Sequence, residues 1–593
     1  MHLSKLRIKN FRAIENLEVN LNKGLTVLVG ENNVGKTAII DAVRMVTMPA
    51  NCYDALRVSP DDYCCGKVDK PIEVSAEFVG LDTDDEIGMY ETVVVDSDNR
   101  LYAQINSIST YVPEGNKIRT RVSGSLPSVG NPINNAYDYI DVTYLKPLRD
   151  PGQALKNGRF SYPAMYLSST LGQEQRETLE KIAHDFNSKL RENPDVGNLE
   201  NLYNEMFRNI VGGNHHQEVE LVFNQPDFVR LISYIKTKIN SREFYLNGLG
   251  LNNILVIALV IAAHRHVKDG YKLLIIEEPE AHLHPILQRL LLTYLQKVAS
   301  EDKNRTQVII TTHSPIFASK VNIKNICYIS KKDNKVKATS LLDIVSADVD
   351  DKDICYLTPK QEKKLERYLD ATRAELFFCH KVMLVEGVAE MFIIPAIARL
   401  LSIDMDEQGV TLINCLGLNF EMFIVVSSRL NMKVAVVTDT DKPDGDGGSS
   451  YYNGLKTKLE EKNNIHIFGT PHTLERALFN DDKLCRFSQS VVKDMGHPKI
   501  SRECASRRGN ELYKYLFGDK GDDGRISKGE FAQEFARKLD DLDKDSVGFK
   551  FSYEVRVEDS QTWITQEETL DVVNFPRSLV EAIQFMCGSG EEE

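Results

Sequence analysis

The chain runs to 593 residues with a net charge of −14, a length that divides into roughly two to four domains, each able to bury a sizeable core. The acidic balance excludes a protein that coats nucleic acid through bulk positive charge, and leaves a local basic groove or metal ions bridging to phosphate. Ten cysteines, with Cys64-Cys65 the one close pair and no Cys-x-x-Cys, argue against a zinc site or a disulfide framework. The longest apolar run, 254–263, falls short of the ~18–20 residues of a membrane span. No charged-then-apolar leader opens the chain, so the expected location is cytoplasmic, away from membranes.

In chain order, 3–12 alternates apolar and polar residues like an edge strand, and 17–21 continues the alternation. Residues 25–29 then read as a short buried strand that turns on Gly30. Gly30, Gly35, Lys36 and Thr37 fill every fixed position of G-x-x-x-x-G-K-[ST], with Asn32 and Asn33 inside the loop, and an apolar helix opens at Ala38. In that context the backbone N–H groups of the loop wrap phosphates, Lys36 reaches the outer ones and the Thr37 hydroxyl can hold Mg²⁺. The motif therefore predicts binding of a nucleoside triphosphate. Residues 72–79, 91–105 and 141–145 add strands, expected to form an antiparallel sheet beside the nucleotide-binding core.

From about 160 to 240 the texture becomes helical. Residues 173–191 carry Leu179, Ile182, Ala183, Phe186 and Leu190 at helical spacing, and 198–210 repeats the pattern. His215-His216, in a Gly-Gly-Asn turn, reads as solvated loop rather than metal site. Asn247-Gly248-Leu249-Gly250 then precedes a predicted helix over 251–264, whose first N–H groups suit a phosphate. The apolar strand 272–276 ends in Glu277-Glu278-Pro279-Glu280, a pattern suited to a Mg²⁺ contact and a base that polarises water. The strand 308–310 ends in Thr311-Thr312-His313, where the spacing predicts that His313 senses a γ-phosphate.

The last third holds a second constellation. A connecting helix is expected over 360–375. The strand 381–385 ends in Glu386-Gly387, Glu390 falls in the first turn of the next helix, and the strand 433–438 ends in Asp439-Thr440-Asp441. Carboxylates at the ends of adjacent parallel strands converge in the crevice outside the sheet. Four acids there repel one another unless divalent cations neutralise them.

Asn10-Phe11-Arg12 and the Gly30–Thr37, 247–250, 273–285 and 311–315 stretches together resemble the ABC-type ATPase of RecF, SMC and Rad50 proteins. The resemblance implies ATP sandwiched between two heads, with Arg12 and the loop on the nucleotide, Glu277 as the Mg²⁺-side acid, Glu278 as catalytic base and His313 as switch histidine. Gly248 and Gly250 would complete the site of a second subunit. The chain departs from the usual pattern with Glu for Asp at 277 and Asn247 for the expected Ser. The acids of the last third resemble the Toprim domain, and the two in one chain resemble the OLD (overcoming lysogenization defect) family.

That family resemblance implies an α/β fold: an ABC-type ATPase head (1–159 and 241–345) with a helical dimerisation insert (160–240), followed by a Toprim domain with helical additions (346–593). It also implies a homodimer or higher oligomer, and a DNA endonuclease that uses Mg²⁺, with Mn²⁺ or Ca²⁺ as other candidate ions, in defence against phage. Glu386, Glu390, Asp439 and Asp441 match the metal-binding acids, Glu475 a further ligand, and Lys528 the lysine that meets the transition state. A helicase, reverse transcriptase or other nucleic-acid partner encoded nearby fits the same reading. Three readings compete. Residues 519–530 nearly spell a calcium loop, although Gly521 removes a ligand. A RecF-like repair clamp whose Toprim fold only binds partners is disfavoured because all four acids are retained, and a primase or topoisomerase because there is no zinc ribbon.

Overall fold

The computed structural model describes residues 1–593 except 51, 53–54, 127–129, 148–157, 159–160, 212–216, 219–226, 236, 240–241, 244–245, 267–269, 301–305, 347–354, 443–447, 460–461, 519–523, 543, 546–547, 557–562 and 589–593. The chain forms two compact units that change over at the phosphate loop. One comprises Met1–Thr26 and Thr37–Thr312, the other Val27–Lys36 and His313–Glu593. Among the described residues no helix is long and apolar enough to cross a membrane.

In the first unit β1 (His2–Phe11) and β2 (Ile14–Asn20) form a hairpin; along the chain β3 (Leu25–Val29), most of which belongs to the second unit, and the loop follow, and then α1 (Lys36–Thr47). With β4 (Ile72–Val79), β5 (Val93–Val95), β6 (Leu101–Val112) and β7 (Lys117–Gly124), the hairpin makes an antiparallel sheet in the order β2-β1-β4-β6-β5, β7 also pairing with β6. The expected edge strand is thus interior. One face of β1 buries Leu3, Leu6 and Ile8, while on the other Arg7 pairs with Glu18 and Glu77, and Lys9 with Glu73. Cross-strand charge pairs satisfy the polar positions from both neighbours, so alternating charge does not require an edge.

A second correction concerns β8 (Ile140–Leu145). It joins no antiparallel sheet but runs parallel to β9 (Tyr271–Glu277), which on its other side pairs in parallel with β10 (Thr306–Thr311). All seven residues of β9 are buried, so it needs a strand on each side. The register Leu145↔Ile276 brings the end of β8 beside the acidic end of β9. Between β8 and β9 lie α2 (Tyr162–Thr170), α3 (Gln173–Arg191), α4 (Pro194–Val211), α5 (Phe228–Ser233) and α6 (Leu249–His266). Ala164, Phe228 and Ile232 make a small core among them. Leu179, Ile182 and Phe186 of α3, and Met206 and Ile210 of α4, remain exposed.

In the second unit Val27–Val29 of β3 pair in parallel with β11 (Ile326–Lys332), which pairs antiparallel with β12 (Lys335–Ser340). The connecting helix is shorter than expected. It spans Pro359–Tyr368 and stops where Leu369 turns extended. The Asp370 carboxylate then accepts from the Arg373 N–H and starts a separate 3₁₀ turn. Beyond it β13 (Lys381–Val385), β14 (Val410–Asn414), β15 (Lys433–Asp439) and β16 (Ile465–Thr470) form a parallel sheet in the order β14-β13-β15-β16. Val382–Val385 and Val434–Val436 are fully buried, as strands covered on both faces must be. Helix α7 (Val388–Leu400) packs on α8 (Lys528–Asp540), where Ile393 and Ile397 share a core with Phe531, Phe535 and Leu539.

Candidate active sites

The residues expected from the sequence to meet a nucleotide fall in both units. In the first, the Thr37 hydroxyl at the start of α1 donates to Glu277 Oε2 at 2.9 Å, and the Tyr144 hydroxyl donates to Glu277 Oε1 at 2.6 Å. Glu277 is 1 % exposed, and burial raises its carboxyl above the usual range while these two donors oppose the shift. Glu278 follows with φ +43, and its amide donates to the Thr311 carbonyl. A left-handed glutamate is costly backbone, of the kind held in place at functional sites. Arg12 is spent on carboxylates. It pairs with Asp41 and, at 2.7 Å, with Asp62, so a nucleotide contact would have to share it. Gly250 lies in the first turn of α6, and a Cβ there would come within 2.5 Å of the His282 carbonyl oxygen. The Asn253 side chain donates to the Ala281 carbonyl. Gly248, just before the helix, has open space around it.

In the second unit the loop is built around Gly30, whose φ is +143 and where a Cβ would sit 2.1 Å from the Ile329 carbonyl oxygen. Only glycine fits. Gly35 has φ +104, and Asn33, beside the exposed Asn32, adopts φ +63. The Lys36 ammonium donates to the Gly30 and Glu31 carbonyls at 2.7 and 2.6 Å, and lies 3.5 Å from His313 Nδ1. Burial, reinforced by Lys36, pulls His313 down to about 4, so the imidazole is neutral at pH 7. Glu31 also pairs at 3.2 Å with His380, the residue that precedes β13. A glycine cradle, a folded-back lysine and a neutral histidine fit a triphosphate by their chemistry.

The carboxylates of the last third gather at the carboxyl edge of the parallel sheet. β14 lies on one side of β13 and β15 on the other, so the strand order reverses between β13 and β15, and Glu386 and Asp439 end those two strands. Glu386 Oε2 accepts from the Thr438 hydroxyl at 3.0 Å and faces the Asp439 amide at 3.4 Å. Glu390 in the first turn of α7 accepts from the Gly387 N–H at 3.1 Å. Glu475, 4 % exposed, accepts from the Lys528 ammonium at 2.8 Å. Lysine in the first turn of α8 opposes the helix dipole, and the Glu475 carboxylate compensates it. Asp441 sits on the turn after β15 with φ +57, its amide donating to the His472 carbonyl.

Burial raises Glu390 to about 7, helped by Glu475 and Glu386. It raises Asp439 to about 9, helped by Glu386, Glu390 and Glu475 and opposed by Lys528. A site that penalises its own negative charge is the site a divalent cation fits. The acids are adjacent rather than closed on a point: among the described residues no group of three or more His, Cys, Asp or Glu stands ready to hold an ion. Two residues here escaped the sequence reading. Tyr144 stood unremarked inside a strand, and Tyr513, whose ring centroid lies 5.4 Å from the Lys528 ammonium, carries no motif. His215-His216 and 519–523 of the calcium-loop reading lie outside the described residues.

Comparison with known proteins finds the two kinds of domain in the chain. Residues 1–247 and 153–318, more than half of the 593-residue chain, match the family described as AAA ATPase domain. Residues 377–441 match the overcoming lysogenization defect protein-like Toprim domain. The OLD nuclease of Thermus scotoductus is 25 % identical over 452 residues, covering 74 % of this chain and 82 % of that protein. Endonuclease GajA of Bacillus cereus is 20 % identical over 546 residues, covering 88 % and 86 %. An ATP/GTP phosphatase of Helicobacter pylori is 26 % identical over 345 residues, covering 53 % and 86 %.

Proposed function

This chain belongs to the AAA ATPase domain family and carries an OLD-like Toprim domain, and we propose that it is an ATP-dependent nuclease that hydrolyses DNA phosphodiesters at the acids around Asp439. The observation that carries the reading is the grouping of Glu386, Glu390, Asp439 and Glu475 at the switch point of a parallel sheet, with Lys528 hydrogen-bonded to Glu475. Mg²⁺ or Mn²⁺ bound there would supply an activated water and a sink for the charge on the leaving oxygen. Glu386, Glu390, Asp439, Asp441 and Glu475 are the residues that would hold the ions. Lys528 offsets negative charge that develops on the scissile phosphate, without coordinating metal.

In the ATPase half, the Gly30–Lys36 loop would hold the phosphates, and Thr37 with Glu277 would hold Mg²⁺. Glu278 takes the proton of the attacking water, and neutral His313 contacts the γ-phosphate. Gly248 and Gly250 complete the site of a second copy, so the working form is at least a dimer. The exposed Ile182, Phe186, Met206 and Ile210 of the helical insert support that assembly, since apolar faces of this kind are buried in stable interfaces. A role in defence against phage belongs to the same proposal.

The test is Asp439→Ala assayed for DNA cleavage in Mg²⁺ and Mn²⁺, with ATP binding measured alongside. Cleavage is expected to be lost with ATP binding intact. Parental cleavage by this variant would overturn the nuclease assignment at these acids.

A further inference from the structure

We propose that Tyr144 is the positioning residue for Glu277, and that the tyrosine and the unusual glutamate form a matched pair that prepares the ATPase acid for its metal. The inference rests on the reading of Glu277 as the Mg²⁺-side acid. It starts from topology. Because β8 runs parallel to β9, the Tyr144 side chain comes alongside the end of β9, and its hydroxyl donates to Glu277 Oε1 at 2.6 Å. The other carboxylate oxygen accepts from Thr37 at 2.9 Å. Each oxygen therefore has its own hydroxyl donor, and with Tyr144 9 % and Glu277 1 % exposed, water competes little for either bond.

The tyrosine is itself held in place. The Arg44 guanidinium carbon lies 4.0 Å from the ring centroid, Arg44 pairs with Asp41, and Asp41 also pairs with Arg12, which reaches Asp62 at 2.7 Å. An aspartate at position 277 would place its carboxylate about 1.5 Å, one C–C bond, nearer the backbone, too short to keep both donors. The longer glutamate reaches both but brings an extra rotatable bond, whose freedom must be given up when it holds a cation. Tyr144 removes that freedom in advance. Partners that orient a metal ligand in this way typically change metal affinity by roughly 10–100-fold when removed.

The experiment uses the full chain and a fluorescent ATP analogue, with affinity measured in EDTA and as Mg²⁺ is titrated. Tyr144→Phe keeps the ring on Arg44 and removes only the hydroxyl. Its EDTA affinity should match the parent, while the Mg²⁺ concentration for half-maximal effect should rise roughly tenfold or more. Glu277→Asp keeps the charge and should raise the same midpoint, after which Tyr144→Phe should add nothing. Glu277→Gln reports on the underlying reading and should abolish the Mg²⁺ effect. If Glu277→Gln abolishes it but Tyr144→Phe or Glu277→Asp titrates like the parent, the pairing is overturned and the Mg²⁺ assignment stands. If Glu277→Gln itself titrates like the parent, the Mg²⁺ assignment fails and the pairing with it. A drop in thermal midpoint for Tyr144→Phe with an unmoved Mg²⁺ titration would make the tyrosine structural and would also overturn the proposal.

Discussion

Metal binding at the acids around Asp439 should release protons, and the number released should depend on pH in a way the structure sets. Glu390 is raised to about 7 and Asp439 to about 9, against ordinary values of about 4.3 and 3.9. Both shifts favour the protonated form in the folded, metal-free protein. Their contribution to stability is fully present below the ordinary values and is lost as pH rises toward the folded ones, at about 1.4 kcal/mol per pH unit for each group in its window. A cation binds the ionised acids and expels the protons. At pH 6 both groups hold protons, so Mn²⁺ should displace about two; at pH 8 only Asp439 does, so it should displace about one. Apparent affinity should then strengthen by roughly a thousand-fold between pH 6 and pH 8. Calorimetry in two buffers of different ionisation heat counts the protons, and the difference between the parent and Asp439→Asn isolates this site from the ATPase acids. Mn²⁺ binding that is lost in Asp439→Asn, yet releases no proton in the parent at pH 8, would refute the electrostatic account.

Lys36→Ala should lose nucleotide binding, whereas Glu278→Gln should bind ATP with parental affinity and turn it over very slowly, read by filter binding and phosphate release. Gly30→Ala should fail at the same step, because its Cβ would stand 2.1 Å from the Ile329 carbonyl oxygen; a variant with parental ATP affinity would contradict the loop geometry. Lys528→Ala should lose DNA cleavage by roughly 10²-fold or more while retaining Mn²⁺ binding, since it stabilises charge without ligating metal. Ile182→Glu combined with Ile210→Glu, at sites 60 % and 81 % exposed, should reduce the mass seen by light scattering without lowering the thermal midpoint.

The parts legible in the sequence were those whose chemistry is local. The phosphate loop declares itself because Gly30, Gly35, Lys36 and Thr37 need fixed spacing within one turn between a strand and a helix. Glu386, Glu390 and Asp439 were legible for a related reason: each ends or follows a short run of buried aliphatic residues, and parallel strands carry their carboxyl ends to one edge. What was missed is non-local. The alternation in β1 and β8 showed that they are strands, but pairing partner and direction depend on neighbours tens to hundreds of residues away. Tyr144 and Glu277 lie 133 residues apart, and a tyrosine in a strand ordinarily reads as packing. The connecting helix was overextended because its polar, helix-favouring residues run on past Tyr368, while the stop comes from the turn that Asp370 starts.

One arrangement recurs in both candidate sites and accounts for Tyr144 and Thr438, which carry no motif. In each, an acid at the carboxyl end of a buried parallel strand is held by a hydroxyl: Glu277 by Thr37 and Tyr144, Glu386 by Thr438. A carboxylate in such a position cannot be left to water, because burial penalises its charge, and it cannot be tied to a lysine or arginine, because a fixed positive partner would compete with the cation it has to hold. A neutral hydroxyl satisfies the oxygen, fixes its orientation and can yield to a metal without leaving a buried charge behind. Glu475, on a helix rather than at a strand end, departs from this arrangement: it accepts from Lys528, the group assigned to the phosphate, and would have to exchange that partner for a cation. A sequence search for such sites should therefore look for threonine or tyrosine on the strand or helix that flanks the acid as well as for the acid itself.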